Sequence, residues 1–183
     1  MRVFIIGLPG VGKSTFAQTL AAYLNCDYVD LDSWIEEKTK TSINTFFEQY
    51  GEEAFRKKES ECLLEVITQH PDMVLATGGG TPAHFDNMQT LLKNGTCILL
   101  KNDIGLIAKQ IMSDDQVRPM FLGLDALEIE KRLSEIWTKR KPHYEQTHII
   151  TGVDAVQNLQ LLTKRLELFT KKGNSLIGII EID

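Results

Sequence analysis

Apolar residues occur along the chain in two alternating patterns. The first is a short unbroken run such as Val3-Phe4-Ile5-Ile6 or Cys97-Ile98-Leu99-Leu100, rich in β-branched and aromatic side chains. Runs of this length read as strands buried on both faces. They predict strands over Arg2–Ile6, Asp27–Val29, Met73–Ala76, Thr96–Leu100 and His148–Ile150. The second pattern repeats apolar residues every three or four positions, as in Phe16, Leu20, Tyr23 and Leu24, the spacing of one helix face. It predicts helices over Lys13–Leu24, Ser33–Thr39, Ser42–Tyr50, Glu52–Gln69, Pro82–Lys93, Ile104–Met112, Leu124–Lys139 and Val153–Lys171. Strands alternating with helices imply an α/β fold of three layers, α/β/α, around a central five-stranded parallel sheet. In such sheets ligands bind beyond the carboxyl ends of the strands.

Two segments break the alternation. Ser113–Gly123 is polar and aperiodic and reads as a lid loop. The tail Ser175–Asp183, "SLIGIIEID", is apolar after a Lys-Lys-Gly break. It is either an added edge strand or a contact with another subunit. We therefore expect one domain over 1–172, with substrate-binding helices at about 33–60 and a lid at about 113–123, followed by the tail 173–183. A monomer is expected, with a tail-mediated dimer as the alternative.

The candidate chemistry sits at the strand ends. "GLPGVGKS", Gly7–Ser14, lies between the first strand and the first helix. That setting identifies G-x-x-x-x-G-K-[ST] as a phosphate-binding P-loop. Backbone N–H groups of Gly10, Val11, Gly12, Lys13, Ser14 and Thr15 would face the phosphates at the helix N-terminus. Lys13 would reach the β- and γ-phosphates, and the Ser14 hydroxyl would bind Mg²⁺. The second strand runs into Asp30-Leu31-Asp32. On an extended chain, residues two apart point the same way. One carboxylate would serve the Mg²⁺ shell and the other would take a proton from an attacking hydroxyl; the plainer alternative is a helix cap. Arg56 and Glu59 share a helical face, as a carboxylate-binding fork with its brace or as a surface ion pair. Gly78-Gly79-Gly80 follows the third strand and suggests close approach of backbone to a ligand. Arg118 lies in the lid segment, and Arg140 stands where a helix is expected to stop before Pro142.

Composition narrows the partners. The 183 residues suit one domain, and 43% hydrophobic and 25% charged content is ordinary for a globular chain. A net charge of −5 removes the electrostatic case for nucleic acid or an anionic membrane. It also means that an anionic ligand must be held by local basic groups. Cys26, Cys62 and Cys97 show no metal spacing and read as reduced core residues of a cytoplasmic protein. With the first strand expected from residue 2 no signal peptide is expected, and no apolar run reaches membrane-span length.

Taken in order, these motifs resemble the shikimate kinase family, within the P-loop NTPase or nucleoside-monophosphate-kinase-like folds: the P-loop, Asp-x-Asp, "GEEAFR" with Glu59 three residues on, the glycine triplet, Arg-Pro in a lid, and Arg140-x-x-x-Tyr144. The resemblance covers about residues 1–165. It implies transfer of the ATP γ-phosphate to the 3-hydroxyl of shikimate, a step of aromatic amino acid biosynthesis, with ATP and Mg²⁺. By the same resemblance, Lys13 and Arg118 bind phosphates. Ser14 and Asp30 serve Mg²⁺, and Asp32 contacts the reacting hydroxyl and acts as base. Arg56 and Arg140 grip the substrate carboxylate, Glu59 braces Arg56, and Gly78, Gly79 and Gly80 wall the pocket. The sequence departs from the family pattern at Lys109 and Gln110, where an adenine-stacking Arg is common, and at His143 in "KPHY". A gluconate kinase or a nucleotide-binding module are the rival readings. The module would want Asn-Lys-x-Asp, and "LKNDI" lacks that order.

Overall fold

The apolar runs become the core of a single parallel sheet. The computed structural model describes residues 1–114, 119–171 and 180–182. Strands β1 (Arg2–Ile6), β2 (Asp27–Asp30), β3 (Met73–Ala76), β4 (Thr96–Lys101) and β5 (Ile149–Gly152) are the five expected ones. A sixth, β6 (Ile180–Ile182), pairs in parallel with β5, so the sheet has one strand more than the sequence predicts. The tail thus supplies an edge strand, one of its two expected roles. Three residues are too few to show a period, which is why the sequence left the choice open.

The strand order is β2-β3-β1-β4-β5-β6, with every neighbouring pair parallel. β1 is flanked on both sides, and Val3, Phe4, Ile5 and Ile6 are wholly buried. At the carboxyl end of the sheet the connection leaving β1 runs to β2 on one side and the connection leaving β3 runs to β4 on the other, the kind of divergence at which such sheets bind ligands. The helices are α1 (Lys13–Leu24), α2 (Leu31–Thr39), α3 (Ile43–Gln69), α4 (Asn87–Asn94), α5 (Ile104–Ser113), α6 (Ala126–Tyr144) and α7 (Leu159–Lys171).

The two helices predicted on either side of residue 51 are both present within α3, separated at Gly51 by a non-helical φ of 79° and ψ of 174°, a conformation open to glycine. Three helical expectations are corrected. The helix expected over Pro82–Lys93 is instead a 3-10 turn at Thr81–Ala83, a break at His84-Phe85, and α4. The predicted Val153–Lys171 helix opens as a 3-10 turn over Val153–Asn158 before α7. Finally, α6 does not stop before Pro142 but runs on to Tyr144. Proline removes one donor near a helix end. Here the closing bonds Glu145 N–H to Lys141 O, Gln146 N–H to His143 O and Thr147 N–H to Tyr144 O hold that end, and burial of Tyr144 anchors it.

Candidate active site

The loop after β1 carries the first part of the site. Gly10 and Gly12 have φ of 79° and 95°, values that side chains rarely adopt. At Gly12 no side chain caps α1, so the first-turn N–H groups are left for an anion. Val11 is buried, Thr15 is exposed in the first turn of α1, and Lys13 is held within the loop, its Nζ donating to the Leu8 carbonyl at 2.9 Å.

Asp30 ends β2 and serves twice. Its Oδ1 accepts from the Asp32 and Ser33 N–H groups at 3.0 and 3.2 Å, capping α2. Its Oδ2 accepts from Ser14 Oγ at 2.6 Å and from the Tyr28 hydroxyl at 3.4 Å. The helix cap, the plainer alternative in the sequence, is present, and the same carboxylate also holds the Ser14 hydroxyl. A hydroxyl beside a carboxylate, with phosphate oxygens to complete the shell, is an oxygen set of the kind Mg²⁺ takes. Asp32 lies in the first turn of α2 rather than on extended chain, so a helix start, not strand alternation, brings the two carboxylates together. Asp32 is exposed to solvent yet crowded by the protein around it. That crowding, then Asp30 and Glu59, pushes its carboxyl up to about 6, against the opposing pull of Lys13 and Arg56.

Across from Asp32, α3 presents Arg56 and Glu59. Glu59 is wholly buried; it accepts from Arg56 Nη1 at 2.9 Å and from Thr81 Oγ1 at 2.6 Å. A charge so buried persists only when paired and hydrogen-bonded, and this settles the ion pair as a buried brace, not a surface contact. Phe47 and Phe55 lie against the guanidinium, 5.9 and 5.1 Å from their ring centres. The glycine triplet runs along this group. A Cβ at Gly80 would stand 2.7 Å from the Arg56 Nη atoms, and one at Gly78 would stand 2.9 Å from Glu59 Oε1 and 3.0 Å from Asp32 Oδ1. A side chain at Gly78 or Gly80 would therefore displace the Glu59, Asp32 or Arg56 tips that pack there.

The end of α6 closes the group. Arg140 is half-buried, and its Nη1 is buried with no hydrogen-bond partner among the described residues. Arg56 Nε is likewise buried, with only a 3.5 Å ion-pair contact to Glu52. Buried donors left short of partners are groups that an ordered water or a ligand satisfies. Both arginines bear on the same neighbours: burial, then Arg56, with Arg140 adding, holds His84 below its ordinary value against Glu59 and Glu52. Burial raises the Tyr144 hydroxyl, against the pull of Arg140 and Arg56.

Arg118 lies outside the described residues. Lys109 and Gln110 are exposed on α5. Two participants, Thr81 and His84, escape the sequence reading, and a third, Tyr144, enters it only as the end of Arg140-x-x-x-Tyr144, without a role. Thr81 follows the triplet directly, a signal that was available. Tyr144 stands four residues after Arg140, but its place on the same face shows only if the helix is carried through Pro142. His84 has no sequence signal, because the break that turns it toward the arginines is not legible.

The nucleotide loop and the arginine pair adjoin: Gly79 packs on Pro9 of the loop, and Asp32 lies between Lys13 and Arg56. A protein so built moves a phosphoryl group between a nucleotide and a small anionic acceptor, and is a P-loop small-molecule kinase. Comparison with known proteins gives the family. A sequence model described as shikimate kinase matches residues 9–169. A shikimate kinase of Azobacteroides pseudotrichonymphae is 34% identical over 164 residues, covering 86% of this chain and 96% of its own. The structure is similar to that of Bacteroides thetaiotaomicron shikimate kinase, with TM-score 0.83 and 30% identity over 90% of this chain and 98% of that one. It is also similar to the Acinetobacter baumannii enzyme in complex with shikimate, with TM-score 0.77 and 29% identity over 96% and 94% of the two chains. The chain belongs to the shikimate kinase family.

Proposed function

We propose that this chain transfers the γ-phosphate of ATP to the 3-hydroxyl of shikimate, giving shikimate 3-phosphate and ADP. The observation that carries the acceptor is the arginine pair. Two guanidinium groups from separate helices bear on one spot, and each keeps a buried N–H without a full partner. In a chain of net charge −5, such a pair suits a carboxylate held by charge-assisted bonds; a neutral sugar would not need it.

The roles follow. The loop amides from Gly10 to Thr15 and Lys13 bind the ATP phosphates. Ser14 and Asp30 hold Mg²⁺, which when bound neutralises phosphate charge. Arg56 and Arg140 hold the shikimate carboxylate, with the triplet Gly78–Gly80 as the wall of its pocket. Asp32, raised to about 6, is a base near neutral pH and takes the proton of the 3-hydroxyl. The hydroxyl oxygen forms the new bond to the γ-phosphorus, the bond to the bridging oxygen breaks, and that electron pair leaves on ADP. Arg118 is assigned to the phosphates by sequence alone. We place the reaction in the cytoplasm, whose reducing conditions suit the three free cysteines; Cys97 and Cys62 have thiols pushed up by burial.

Methyl shikimate tests the clamp, since it keeps the hydroxyls and removes the charge. We expect kcat/KM to fall about 100-fold relative to shikimate, the scale of two charge-assisted bonds, with KM for ATP little changed. Equal turnover of acid and ester would overturn the clamp.

A further inference from the structure

Tyr144 is wholly buried at the last position of α6, with its ring 5.8 Å from that of Trp137. Its hydroxyl lies 2.6 Å from the Gly79 carbonyl and 3.1 Å from the Gly7 carbonyl. Gly7 opens the phosphate loop, and Gly79 is the middle of the triplet. The two segments also touch directly, since a Cβ at Gly79 would stand 3.0 Å from Pro9 Cδ and Cγ. One phenol therefore ties the nucleotide side to the acceptor side. It does so four residues from Arg140, on the same face of α6.

The hydroxyl has one hydrogen and two carbonyls to serve. The shorter contact favours Gly79, and Gly7 is the second acceptor in reach. A ligand that fixes either loop fixes the anchor on which the other loop depends. The second ligand then meets a segment already ordered, which tightens its binding with no new contact. From this geometry, and resting on the function proposed above, we infer that Tyr144 is a positioning residue that couples nucleotide binding to acceptor binding.

The test compares the shikimate Kd with and without saturating ADP and Mg²⁺, by calorimetry, in the wild type and in Tyr144→Phe. Phe keeps the packing on Trp137 and loses only the hydroxyl. The wild type should bind shikimate more tightly with ADP present. In Tyr144→Phe that ratio should fall about fivefold, the worth of one hydrogen bond, with the Kd of each ligand alone changing less. An unchanged ratio in the variant, an absence of coupling in the wild type, or an equal weakening of both ligands with the ratio intact would each overturn the inference. Shikimate binding with an unchanged ratio removes the inference alone; no shikimate binding at all removes the proposed function with it. A second measurement needs no variant. ADP with Mg²⁺ alone should slow hydrogen exchange at the amides of Gly78–Thr81 in the wild type, and no slowing there would overturn the coupling.

Discussion

Asp32 stands among two carboxylates, Asp30 and Glu59, and two cations, Lys13 and Arg56. Crowding by protein and the like charges outweigh the cations, so its carboxyl is raised from 3.8 to about 6. The folded state thus holds the Asp32 proton more tightly than the unfolded chain does. Its contribution to stability is fully present below about pH 4, fades between about 4 and 6, and above that the ionised group opposes folding. Asp32→Asn should therefore raise Tm at pH 7.5, with the gain shrinking toward pH 4, while kcat drops about 10²- to 10⁴-fold. In the wild type, kcat/KM should climb as pH rises through about 6, and the variant should lose that limb. Near-normal turnover of Asp32→Asn would remove Asp32 from the mechanism. The sequence paired the two carboxylates by strand alternation; they meet instead because Asp30 caps a helix that begins at once, and a cap shifts the chain off the strand geometry assumed for the pair.

Single elements show where local rules were enough and where packing intervened. α1 begins and ends as its periodicity predicts because Gly12 and Asn25, both with positive φ, bound it. α6 starts at a capping box, Asp125 with Glu128, yet runs past Pro142 because Tyr144 must reach Gly7 and Gly79, contacts 137 and 65 residues away in the chain. No local signal carries that. The junction of β4 and β5 is another long-range device. His148 Nδ1 accepts from the Cys97 N–H at 3.0 Å, and burial holds the imidazole below its ordinary 6.5. The unfolded chain therefore binds a proton more readily, and stability is lost as pH falls through about 6.5. His148→Asn offers an acceptor that does not titrate. Chemical denaturation should show a flatter loss of stability from pH 7 to 5 in the variant; an identical slope would mean that His148 is not the group responsible.

At the scale of the molecule, the parallel order β2-β3-β1-β4-β5-β6 sends the carboxyl ends of β1, β2 and β3 to one edge. There the phosphate loop, Asp30 and the glycine triplet follow their strands directly. This much was legible, since each motif sits at the end of an apolar run and the topology of alternating elements is strongly constrained. The burial of Glu59 under Thr81, the turn of His84 and the tie from Tyr144 to Gly7 and Gly79 were not, because each depends on separate segments of the chain meeting over the sheet. The edge strand β6 belongs to the same class. An acidic chain that nonetheless gathers Arg56 and Arg140 at one place is the whole-molecule statement of its substrate: a small anion beside a nucleotide. The most direct test is ADP release from Mg²⁺-ATP with shikimate, quinate, gluconate, nucleoside monophosphates or no acceptor. The account predicts release that depends on shikimate and stays near background with the others. Release driven equally by gluconate, or by no acceptor at all, would contradict it.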